Sequence, residues 1–133
     1  MTSDAVAVDT SIFVAALFDE PEWPRLLAAL KTARTRLMSA GNYLECAMVA
    51  ERKVDGRADL DRWLAREGVM VVPVDLGHAR LAADAFARFG RGRHPAGLNY
   101  GDCFAYALAK SLDAPLLYKG ADFARTDVAS ALA

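Results

Sequence analysis

The sequence predicts a single α/β domain: a central, mostly parallel sheet of four to five strands, flanked by helices on both faces. Three observations predict it. Short apolar, β-compatible runs alternate with longer stretches of helical periodicity, and strands separated by helices require right-handed crossovers, which build a parallel sheet covered on both sides. The chain has 133 residues, enough for one real core, and 54% of them are hydrophobic, which argues against disorder. No repeat or linker divides residues 1–133 into a second domain.

The elements follow in order. Ala5 to Val8 is a short uninterrupted apolar run, as expected for a strand buried on both faces. Thr10 or Ser11 can cap a helical turn through Ile12 to Phe18. Glu20-Pro21-Glu22-Trp23-Pro24 breaks the chain and opens a helix with Leu26, Leu27 and Leu30 inward. Arg36-Leu37-Met38 reads as the second strand, and Ser39 as the cap of a long helix from about Ala40 to Val54, ended by Gly56. Ala58 to Arg66 is a further helix with Leu60, Trp63 and Leu64 inward. Val69 to Val74 reads as a buried strand, and Asp75 caps a helix whose stripe is Ala79, Ala82, Ala83, Phe86 and Phe89. After the loop Gly90–Gly97, a helix runs from Tyr100 to about Leu112, Ala114 to Tyr118 forms the fourth strand, and one short edge strand near Val128 is the fifth.

Lys plus Arg is 16 and Asp plus Glu is 17, a net charge of −1, so there is no global basic field, and attraction for a polyanion must come from a local patch. Cys46 and Cys103 match no metal-finger spacing and lie in apolar helical stretches; reduced core thiols are expected. No positively charged leader precedes an apolar run, and no apolar run approaches the ~20 residues that span a bilayer. A soluble, cytoplasmic protein without membrane association is expected.

Three acids stand out. Asp9 closes the first strand, Glu45 lies inside the largely apolar Asn42–Val49, and Asp102 opens the apolar run to Ala109. Carboxylates rarely sit in core-forming sequence unless something pairs with them, and no Lys or Arg is adjacent to any of the three. Each has an ordinary reading of its own: Asp102 as a helix-start residue after an Asn99 cap, Glu45 as a solvent-facing residue, Asp9 as a turn residue. Gathered together, they repel by ~4 kcal/mol per pair at 4 Å and an effective dielectric of 20, which a cation removes. All-oxygen ligands favour Mg²⁺ or Mn²⁺ over zinc. Ligands of open α/β sheets bind beyond the carboxyl ends of the strands, the rim to which Asp9 and Asp122 both belong. Thr10 and Ser11 are expected to orient the Asp9 carboxylate, and Gly101 to let a metal, water or phosphate approach closely. A hard dication there acidifies a water and stabilises charge on phosphorus, while a carboxylate orients or deprotonates that water, so metal-dependent phosphodiester chemistry is the expected class.

With these residues in hand, nearly the whole chain resembles the PIN-domain nucleases, and most of all the VapC-type toxins of prokaryotic toxin–antitoxin pairs. Val8-Asp9-Thr10-Ser11 looks like the family's first motif and Asn42-Tyr43-Leu44-Glu45 like its second. Leu98-Asn99-Tyr100-Gly101-Asp102-Cys103-Phe104 with Ala105-Tyr106-Ala107-Leu108-Ala109 is similar to its aspartate-led helix, and Leu117-Tyr118-Lys119-Gly120-Ala121-Asp122-Phe123 to its last motif. The resemblance implies a PIN-like fold and a Mg²⁺-dependent endoribonuclease that uses Asp9, Glu45, Asp102 and Asp122, with Asp9, Glu45 and Asp102 on the metal. It also implies a homodimer and inhibition by a small cognate antitoxin.

Arg91 and Arg93, in the glycine-rich loop before the Asp102 helix, and Lys119 are candidates for RNA phosphate contact. Trp23, Trp63, Phe86, Phe89, Phe104 and Tyr106 read as packing, with some apolar surface of the first two helices available to a dimer or antitoxin contact. Two other enzyme classes fit poorly. A haloacid-dehalogenase-like phosphatase needs an acid where Ser11 stands, and a receiver domain needs an acidic pair where Ala7 and Val8 stand. The alternative of a different class is a catalytically inactive PIN-like module that binds RNA or protein; cleavage with and without EDTA separates the two.

Overall fold

The computed structural model describes residues 4–132. Its strands are β1 (Ala5–Val8), β2 (Thr35–Ser39), β3 (Val69–Val72) and β4 (Leu116–Leu117). Its helices are α1 (Thr10–Leu17), α2 (Trp23–Thr32), α3 (Ala40–Ala50), α4 (Gly56–Glu67), α5 (Leu76–Phe89) and α6 (Tyr100–Leu112). The strands pair in parallel in the order β3-β2-β1-β4, with Ala7 opposite Leu37 on one side and Leu116 on the other.

Successive strand side chains alternate faces and so feed two cores. Val6, Val8, Met38 and Leu117 pack under α1 to α4 with Phe13, Leu26, Leu30 and Trp63. Ala7, Leu37, Leu116 and Tyr118 pack under α5 and α6 with Phe89, Leu98, Tyr106 and Leu108. The chain steps outward from β1 to β2 to β3, then α5 and α6 carry it back to β4 on the far side of β1. The carboxyl ends of β1 and β4 therefore flank the topological switch point, where loops diverge and leave a crevice.

Several expectations are corrected. β3 is an edge strand, not a buried one: it stops at Val72, and Met70 and Val71 are exposed. The α1 cap is Asp9, whose carboxylate accepts from the Ser11 N–H, and not Thr10 or Ser11. α3 ends at Ala50 and not Val54, and Gly56 begins α4 instead of ending α3. Gly56 is needed there for close approach, since a Cβ would lie 1.9 Å from the Ala50 carbonyl oxygen. β4 has only two residues, because Pro115 has no N–H to give and the Lys119 N–H is spent on the Ser11 hydroxyl. The edge strand expected near Val128 is a single parallel bridge between Leu116 and Ser130.

Candidate metal centre at the switch point

A cavity of about 340 Å³ opens at the carboxyl end of β1, and Asp9, Glu45 and Asp102 all line it. Each acid comes from the start of a different helix or the helix body beside it. Asp9 ends β1 and caps α1, its Oδ2 accepting from the Ser11 N–H at 3.1 Å. Glu45 reaches in from the second turn of α3. Asp102 is the third residue of α6 and forms a reciprocal capping box with Asn99: its Oδ2 accepts from the Asn99 N–H at 3.0 Å, while Asn99 Oδ1 accepts from the Asp102 N–H at 2.8 Å. The helix-start reading of Asp102 therefore holds alongside its place in the cavity.

The electrostatics record the crowding. Burial pushes the Asp9 carboxyl up to about 6, against the pull of its Ser11 hydrogen bonds, and the charges of Asp102 and Glu45 add to the rise. Asp102 is also raised, first by burial and then by Asp122 and Glu45, while the Asn99 hydrogen bond and Arg91 act the other way. Among the described residues no three His, Cys, Asp or Glu side chains stand close enough together to enclose an ion as they are. The donor set suits a hard cation: three carboxylates line one cavity, one of them buried and reluctant to ionise alone.

The expected orienting roles divide differently. Ser11 holds Asp9, but the Thr10 hydroxyl donates to Glu45 Oε1 at 2.5 Å. What approaches Gly101 closely is the Glu45 carboxylate: a Cβ on residue 101 would stand 2.2 Å from Glu45 Oε2. Asp122 is exposed and lies outside the cavity lining, yet its charge is felt at Asp102.

The basic candidates separate as well. Arg91 is on the Asp102 side, whereas the Arg93 guanidinium sits over the Phe86 ring at 5.5 Å. Lys119 lines the cavity, but its ammonium is paired with Glu20 at 2.8 Å and Glu22 at 3.4 Å. Sequence reasoning missed Glu20, which lines the cavity, and Asn42, whose fully buried amide contacts the Glu45 network. The signal for Asn42 was present, an amide one helical turn before Glu45 in an apolar stretch; Glu20 gave none, since only the fold brings its turn across to β4.

Neither thiol competes for the chemistry. Cys46 and Cys103 are free and buried, and burial pushes them up to about 12 and about 11. A larger groove of about 740 Å³ between α5 and α6 is lined mostly by apolar side chains such as Ala82, Phe86 and Phe104, and carries no carboxylate, His, Lys or Arg. No helix among the described residues is long and apolar enough to cross a membrane.

Residues 6–129 of the chain that folds into this β3-β2-β1-β4 sheet match a family model, the PIN domain. The chain belongs to the PIN-domain family. This PIN domain is 48% identical over 127 residues to ribonuclease VapC30 of Mycobacterium tuberculosis, covering 94% of this chain and 97% of that one. It is 49% identical to ribonuclease VapC of Mycolicibacterium smegmatis, again over 127 residues, with 94% and 98% covered. Two solved structures share the PIN fold at low identity. One is VapBC2 from Rickettsia felis bound to a promoter DNA fragment (TM-score 0.74, 15% identical, 95% and 96% of the two chains covered). The other is VapC20 of M. tuberculosis, described as a sarcin–ricin-loop-cleaving toxin (TM-score 0.71, 17% identical, 92% and 95% covered).

Proposed function

We propose that this PIN domain is a divalent-metal-dependent endoribonuclease, a hydrolase of RNA phosphodiester bonds, and the toxin half of a type II toxin–antitoxin pair. The observation that carries the reading is the convergence of Asp9, Glu45 and Asp102, from three separated segments, on one cavity at the switch point. Relatives named as VapC ribonucleases at 48–49% identity, matched over nearly their whole length, support the same activity.

Asp9, Glu45 and Asp102 hold the ion, and Mg²⁺ is the ion proposed, with Mn²⁺ as a substitute, because every donor is a carboxylate oxygen. Once bound, the ion supplies a water of lowered pKa and positive charge for phosphate oxygens. The rest falls to the chain. Asp9, raised to about 6, would release its proton to water on binding a cation and so hold it as a full carboxylate. Asp102 keeps Oδ2 on the Asn99 N–H and leaves Oδ1 for the cavity, where a free carboxylate oxygen can orient a water or take its proton. Asp122, outside the cavity lining, acts on this site through water. Arg91 is positioned to meet a phosphate beside Asp102, and Lys119 meets one by leaving Glu20 and Glu22.

The reading extends to a small cognate antitoxin, a homodimer and a cytoplasmic site of action. The structure of a VapBC complex among the fold's neighbours supports the antitoxin.

Purified, antitoxin-free protein incubated with an RNA pool tests the enzyme. Cleavage is expected with Mg²⁺, absent with EDTA, restored by Mg²⁺ or Mn²⁺, and lost in Asp9→Asn. RNA retention without Mg²⁺-stimulated cleavage would favour the inactive binding module instead.

A further inference from the structure

Asn42 is fully buried, yet its Oδ1 accepts no hydrogen bond from any described residue. For packing alone, an apolar side chain of similar size would fill that space without stranding an acceptor. The donor end explains what the residue does. Nδ2 donates to the Gly101 carbonyl oxygen at 3.0 Å and to Thr10 Oγ1 at 3.2 Å, with Glu45 Oε1 at 3.5 Å. These bonds fix the orientation of the amide, because turning it over would set Oδ1 against the Gly101 carbonyl and the Glu45 carboxylate, neither of which can donate.

The consequence for Thr10 is chemical. A hydroxyl has one proton, and an amide N–H occupying its lone pair leaves that proton to be given elsewhere. Thr10 gives it to Glu45 Oε1 at 2.5 Å in preference to the Asn42 carbonyl at 3.5 Å. Asn42, Thr10 and Glu45 thus form a directed relay. The second arm of the same amide holds the carbonyl of Gly101, the residue before Asp102, against which the Glu45 carboxylate lies.

We propose that Asn42 is a positioning residue of the metal centre: its buried amide aims the Thr10 hydroxyl at Glu45, so that the Glu45 carboxylate is set relative to Asp9 and Asp102 before an ion arrives. Asn42 sits in α3, Thr10 opens α1 and Gly101 lies in the first turn of α6. One side chain therefore ties together the three elements that carry the three acids. The inference rests on the metalloribonuclease reading but assigns a role to a residue that touches neither ion nor RNA.

The test is Mn²⁺ binding to RNA-free protein, followed by electron paramagnetic resonance, in a double-mutant cycle of Asn42→Ala with Glu45→Ala. Outer partners of metal ligands are worth about 10–100-fold in metal affinity, so Asn42→Ala is expected to weaken Mn²⁺ about tenfold in the parent. Because the residue acts through Glu45, the same change is expected to cost under about twofold once Glu45 is Ala. Equal weakening in both backgrounds, or none in either, overturns the positioning role. If Asn42→Ala does not melt cooperatively, Thr10→Val, which keeps the volume and removes only the relaying hydroxyl, goes through the same cycle with the same expectation. A parent that cleaves RNA and binds Mn²⁺ while the cycle shows no coupling overturns Asn42 alone. A parent that binds no Mn²⁺ overturns the metal-dependent function on which the role depends.

Discussion

At the scale of single residues, the buried Asp9 is costly in its charged form unless a cation faces it. Its carboxyl is pushed from 3.8 to about 6 by burial at the end of β1. The folded protein therefore holds that proton more tightly than the unfolded chain does. The associated stability is complete below about pH 4 and is lost as pH rises through 6, a change of ~3 kcal/mol. Asp9→Asn should consequently be more stable than the parent by ~1–3 kcal/mol in EDTA at about pH 8, with the gain gone near pH 4, as read by urea denaturation across that range. A gain over the parent no larger at pH 8 than at pH 4 would contradict the burial cost. Gly101 belongs to the same scale. A methyl there must displace the far end of the flexible Glu45 side chain, so Gly101→Ala should fold and lose metal affinity. A thermal melt beside a Mn²⁺ titration separates the two effects.

At the scale of elements, the site is made of helix starts and depends on how they are capped. Ser39 and Asp75 cap α3 and α5 as their sequence positions suggest, accepting from the Gly41 and His78 N–H groups. The α3–α4 junction rests on the contact of Gly56 with the Ala50 carbonyl, and no flexible side chain is there to yield. Gly56→Ala should cost ~1–3 kcal/mol in chemical denaturation, because the new Cβ must push the Ala50 carbonyl aside. In the 90–97 loop, the two arginines part company. Arg91→Ala should lower the salt slope of RNA binding by ~0.7, the value of one single-strand phosphate contact. Arg93→Ala should leave the slope unchanged, its guanidinium being held over Phe86. Equal effects from both would contradict the geometry.

At the scale of the whole molecule, ion binding and folding are one equilibrium. An ion at a hundred times its dissociation constant stabilises the protein by ~2.7 kcal/mol, a rise of roughly 10 °C in melting temperature for a domain of this size. Mg²⁺ should produce that rise at about pH 7.5, a smaller one at pH 5 where Asp9 is protonated, and none in Asp9→Asn. Much of this organisation was legible in the letters. The Ala5–Val8 run, the caps at Ser39, Asp75 and Asn99, and the three misplaced acids all follow from local chemistry, because apolar periodicity and capping depend on neighbours a few residues away. The sequence by itself thus determined the α/β class and the parallel crossovers, and singled out three acids that line one cavity. The edge position of β3, the shortening of β4 and the neutralisation of Lys119 by Glu20 and Glu22 were decided only in three dimensions. So were the seating of Glu45 against Gly101 and the reach of Asn42 to α1 and α6. Each of these depends on which strand lies beside which and on contacts across sequence separations of 32 to 108 residues, distances over which hydrophobic periodicity carries no information.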